Sequence, residues 1–121
     1  MSTVYHEEGL SEQAQNVHRA LASLIEELEA VDWYNQRVDV TNDAELKAIL
    51  AHNRDEEVEH AAMALEWLRR LLPQFDEELK TYLFTTGPIT AIEENEESGD
   101  DEKSENGGGD LGIGKTAKGG Q

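Results

Sequence analysis

Apolar side chains recur along the first third of the chain at steps of three, four or seven. Leu10, Val17, Leu21, Leu24, Leu28 and Val31 share one stripe, with charged and amide residues between them. That spacing follows the 3.6-residue turn and predicts an amphipathic helix over about Ser11–Val38, with Ser11 as its N-cap. The segment 38–43 breaks the pattern. Asn42 followed by Glu45 has the form of a capping box opening a second helix. Its stripe is Leu46, Ile49, Leu50, Ala64, Trp67, Leu68 and Leu71, and Pro73 ends it near Leu72. A shorter helix is expected from Pro73 to about Phe84, closed by Thr85-Thr86-Gly87-Pro88.

The expected fold is therefore all-α: a long antiparallel two-helix hairpin plus a short C-terminal helix. Two helices cannot by themselves bury two long stripes. Dimerisation into a four-helix bundle is the expected remedy, with a higher oligomer as an extension of it.

Composition narrows the function. The 121 residues allow one small domain, contain no cysteine for a disulfide or thiolate site, and carry a formal net charge of -17. Residues 1–92 hold 18 acidic against 7 basic side chains, and residues 93–121 hold 9 against 3. The folding part is thus itself strongly negative, which argues against nucleic acid and for bound cations. No apolar run is long enough for a membrane span, and no signal-peptide pattern opens the sequence, so a cytosolic protein is expected.

Polar residues interrupt the second stripe in a telling place. At about 100° per residue, Asn53, Glu57 and His60 fall inside it, whereas Glu56 and Glu59 turn toward solvent. Glu57-x-x-His60 places a carboxylate and an imidazole on one helix face. On the first helix Glu27 lies at the stripe's margin, and Tyr34 follows one heptad later. A carboxylate in a packed seam costs several kcal/mol if unpaired. A metal ion would offset that cost; pairing with Arg19, Arg54 or another charge across the seam is the plainer alternative. Tyr34 and Trp67 also read as packing residues, Met63 as core filler, and His6, His18 and His52 as surface residues. One lone Glu and one Glu-x-x-His is half of a ferritin-like di-iron set, and a two-fold dimer supplies the other half. Oxygen-rich ligation with one imidazole per metal suits iron or manganese.

The stretches Glu26-Glu27-Leu28-Glu29-Ala30-Val31-Asp32-Trp33-Tyr34-Asn35-Gln36-Arg37 and His52-Asn53-Arg54-Asp55-Glu56-Glu57-Val58-Glu59-His60-Ala61 together resemble the encapsulated ferritins. These are short bacterial two-helix proteins carried inside encapsulin shells. The resemblance implies a ferroxidase that oxidises Fe(II) to Fe(III) at a di-iron centre. It implies metal ligands at Glu27, Glu57 and His60, with Tyr34 hydrogen-bonded nearby. Glu26, Glu29 and Trp33 would match positions where the family holds additional metal on the way in. It further implies a homo-oligomer built as a ring of dimers.

Gly109-Asp110-Leu111-Gly112-Ile113-Gly114-Lys115-Thr116 satisfies the P-loop expression, but an acidic, Gly-rich segment precedes it where a buried strand is required. Nucleotide binding is not expected. Residues 93–109 contain no apolar side chain and read as a solvated, disordered linker. Beyond it, Leu111 and Ile113 alternate with Gly112 and Gly114, suiting an extended peptide that drops two side chains into a partner's pockets. The segment resembles the targeting peptide of encapsulin cargo. The expected organisation is a ferritin-like hairpin domain over 1–92, a linker over 93–109 and an encapsulin-targeting peptide over 110–121. The expected location is the bacterial cytoplasm, inside an encapsulin nanocompartment, where oxidation feeds iron mineralisation and storage. Two other readings remain open: a different di-iron or di-manganese oxidoreductase on the same hairpin, and a non-enzymatic helical adaptor.

Overall fold

The computed structural model describes residues 5–95. Three helices follow in order: α1 (Glu12–Val40), α2 (Ala44–Leu71) and α3 (Pro73–Tyr82). Residues 89–95 are also helical. The chain divides into two compact units, one ending at Leu71 and one beginning at Leu72.

The first unit is the hairpin, in which α1 packs along α2. Ser11 caps α1 as its sequence predicts, its hydroxyl accepting the Ala14 amide at 3.1 Å. The helix runs to Val40, two residues beyond expectation, and the Thr41 amide and hydroxyl both donate to the Arg37 carbonyl. The cap of α2 corrects the expected Asn42 box. Asp43 supplies it, its carboxylate accepting the Leu46 amide at 2.8 Å. Asp43 sits three residues before that amide, whereas Asn42 is one residue too early for it.

Few side chains of the hairpin leave solvent completely. Ala22, Ala61 and Leu68 are buried, while the stripe residues Leu28, Leu46 and Ile49 are about half exposed. Met63, expected as core filler, is 58% exposed, and Trp67 is also exposed. His6 and His52 lie at the surface as expected. His18 does not: it is half-buried, and its ring meets Tyr5 edge to face at 4.9 Å.

In the second unit, Leu72 adopts an extended conformation before Pro73, which occupies the first turn of α3. Lys80 pairs with Asp76 at 3.0 Å, and Gln74 donates to Glu78 at 2.9 Å, both one turn apart. The helix ends at Tyr82, short of the expected Phe84, because the chain turns there: Phe84 has φ 63° and is 92% exposed. Helix at 89–95 was not expected from sequence, and it includes the first three residues of the segment read as linker. The remainder of that linker, and Leu111, Gly112, Ile113 and Gly114 of the tail, lie outside the described residues. Among the described residues no helix is long and apolar enough to cross a membrane.

Candidate metal centre

Glu27 reaches the site from the middle of α1, and Glu57 and His60 reach it from the middle of α2. The three-residue step puts Glu57 and His60 on one face of α2, and the antiparallel hairpin brings that face to Glu27. One ligand atom from each of the three lies within 4.8 Å of the others. His60 Nδ1 stands 3.3 Å from Glu57 Oε1 and 3.7 Å from Glu27 Oε1. Both carboxylates are about a quarter exposed, and the His60 side chain is 41% exposed.

The three groups shift one another's proton affinities. Glu27 is held above the usual carboxylate range by its hydrogen bond with Glu57, reinforced by burial and by the Glu57 charge. Glu57 is pulled below that range by the same hydrogen bond, with help from His60. His60 is raised, first by its hydrogen bond to Glu57 and then by the charges of Glu27 and Glu57. The three groups are thus electrostatically linked, each shifted by its neighbours. A divalent ion would set a positive charge between the carboxylates, and two carboxylates with one imidazole suit iron or manganese.

Of the plainer alternative, pairing with a charge across the seam, the geometry gives His60 against Glu27 but neither arginine. Arg19 bonds to Asn16 at 2.8 Å, and Arg54 bonds to Asp55 and Asn35, both at 3.1 Å. Tyr34 is half-buried, with the Arg37 guanidinium 5.3 Å from its ring centroid. Glu26 and Trp33 are exposed and Glu29 is half-buried, and none of the three belongs to the cluster. Sequence reasoning gave Asn35 no role. Its signal, an amide on α1 opposite a cation on α2, exists only once the hairpin is closed.

A family model described as EncFtn-like matches residues 2–86. An encapsulated ferritin-like protein of Rhodospirillum rubrum is 61% identical over 93% of this chain and 76% of its own length. A ferritin-like protein of Thermotoga maritima is 57% identical over 95% of this chain and 99% of its own. The encapsulin nanocompartment cargo protein EncC of Myxococcus xanthus is 46% identical over 40% of this chain and 37% of its own. Among solved structures, a protein from Nitrosomonas europaea superposes with a TM-score of 0.68 at 66% identity, covering 70% of this chain and 96% of that one.

Proposed function

Because the chain belongs to the EncFtn-like family, with residues 2–86 of its 121 in the match, we propose that it is a ferroxidase taking Fe(II) as substrate. The observation that carries this reading is the Glu27–Glu57–His60 cluster. It holds acidic and imidazole donors together, with Arg19 and Arg54 engaged elsewhere. Each Fe(II) surrenders one electron to oxygen and leaves as Fe(III). The chain's part is to hold the ion between Glu27, Glu57 and His60.

Three protein ligands would leave a metal ion short of a six-coordinate shell, and the His60 side chain is 41% exposed. On α2 the exposed Ile49, Met63 and Trp67 lie within about 60° of His60 around the helix axis. A second copy laid on this face would cover them and add its own Glu, Glu and His, giving a di-iron centre across a dimer interface. Such dimers would assemble further into a ring. Glu26, Glu29 and Trp33, beside Glu27 on the surface of α1, would gather Fe(II) electrostatically on its way in. Tyr34 would orient a metal-bound carboxylate through its hydroxyl.

The relatives include proteins described as encapsulated and as encapsulin cargo. By analogy this chain would dock into an encapsulin shell in the bacterial cytoplasm through Leu111, Gly112, Ile113 and Gly114. The shell would then hold the ferric mineral that a small open oligomer cannot enclose.

Fe(II) oxidation in air by the pure protein tests the centre. His60→Ala, Glu57→Ala and Glu27→Ala should each abolish most of the rate while circular dichroism stays helical. Tyr34→Phe should slow turnover modestly. Parental rates in the three ligand variants would refute the centre. Docking is tested separately by co-expressing the shell: Leu111→Ala with Ile113→Ala should lose co-purified cargo yet oxidise iron normally. Equal loading of that double variant would refute the tail's role.

A further inference from the structure

The two long helices are fastened unevenly about the metal cluster. The buried side chains of the hairpin, Ala22, Ala61 and Leu68, all lie on the side of the cluster away from the 41–43 loop. From Leu28 through the loop to Glu56 no residue is buried. An open cavity of about 560 Å³ lies in that region, bounded by Val38, Val40, Lys47, Arg54 and Asn35 among others.

One polar tie joins the helices here. Arg54 Nη1 donates to Asn35 Oδ1 at 3.1 Å, linking α2 to α1. The same guanidinium donates through Nε to Asp55 Oδ1 at 3.1 Å, so a carboxylate on its own helix fixes one edge of the fork. Its side chain is 29% exposed, whereas Asn35 at the other end of the bond is exposed. Arg54 precedes Glu57 by one helical turn, about 4.5 Å along the axis, on the same face. Asn35 follows Glu27 by about two turns on α1. On the loop side, where no residue is fully buried, this bond links the two helices close to the ligands.

We propose that Arg54, oriented by Asp55 and bonded to Asn35, is a positioning residue for the metal centre. It fixes α1 against α2 on the loop side and thereby the approach of Glu27 to Glu57 and His60. The inference rests on the metal-centre reading above. Lys47 shares the cavity wall, but an ammonium cannot reproduce the planar fork that engages both helices.

The test uses the full chain with Arg54→Ala, Asn35→Ala and the double variant. Co(II) affinity is measured by titration, the Fe(II) dependence of oxidation by kinetics, and folding by circular dichroism and native mass. Each single variant should weaken Co(II) binding about tenfold, the scale of lost support around metal ligands. Half-saturating Fe(II) should rise similarly, with a smaller change in maximal rate. The double variant should be no worse than either single one, because both remove the same bond. Asn35→Asp, which keeps the acceptor, should bind Co(II) nearly as the parent does, whereas Arg54→Lys should not. Should Arg54→Ala fail to fold, Asn35→Ala decides: a tenfold loss supports the tie and parental affinity overturns it. Additive losses also overturn it. So does parental Co(II) binding in both single variants while His60→Ala binds none, which leaves the centre itself intact. Parental binding and oxidation in His60→Ala would overturn the centre, and this inference with it.

Discussion

Away from its loop the hairpin closes on Ala22, Ala61 and Leu68, whereas toward the loop Leu28, Leu46 and Ile49 stand half in solvent. Away from the loop, burial falls on two small side chains, Ala22 and Ala61, and on Leu68, which is fully buried. On the loop side, larger side chains surround an open cavity and a hydrogen bond from Arg54 stands where packing would be. Glu27, Glu57 and His60 lie at the border between these regimes. A metal site at such a border is anchored on one side and adjustable on the other.

The sharpest way to break this contrast is mutational. Leu68→Ala should cost about 2–5 kcal/mol, the range for a fully buried leucine that leaves a cavity. Ile49→Ala should cost under about 1 kcal/mol in the dilute metal-free protein, as exposed positions do. Urea unfolding of both variants, with native mass to fix the oligomer, gives the comparison. Equal costs would mean that the loop side is covered in solution, which would favour a second copy on that face.

Protons probe the border itself. His60 is raised above its usual range, so its contribution to apo stability is complete below about 6.5, the imidazole's ordinary value. That contribution is lost as pH rises through the raised folded value. Metal affinity should move the other way, because an incoming ion competes with the proton for the imidazole. Melting temperature without metal should therefore fall over the same interval in which Co(II) affinity rises. His60→Ala should remove both slopes. Two slopes of the same sign would show that the imidazole does not hold the helices together.

The smallest effect lies on the side away from the loop. Glu66 accepts hydrogen bonds from Arg69 and Arg70, which lower its pKa to about 2. Its contribution is present above the ordinary carboxylate value and fades as pH falls from about 4.5 toward 2. The carboxylate is exposed, so salt should shrink the effect further. Glu66→Gln should slightly flatten the acid limb of a thermal melt at low ionic strength and leave Co(II) binding unchanged. A change in Co(II) binding would extend the border farther from the loop than the geometry places it.

The sequence by itself determined α1, α2 and α3, the hairpin and the three clustered side chains, but not the helix at 89–95. Period, a capping serine and Pro73 are local signals that act within a turn or two, and Glu57-x-x-His60 needs only one turn to align. It also determined that the stripes exceed what a hairpin can bury, since that follows from their length. Tertiary structure alone decided where along the stripes burial occurs, because a stripe residue is covered only if something opposite reaches it. That is why, of one stripe, Ile49 is exposed while Leu68 is buried. The cap at Asp43 needed the backbone geometry to distinguish it from Asn42 beside it. The tie from Arg54 to Asn35 spans nineteen positions of sequence, and no local pattern announces a bond between groups that meet only after the chain has turned back.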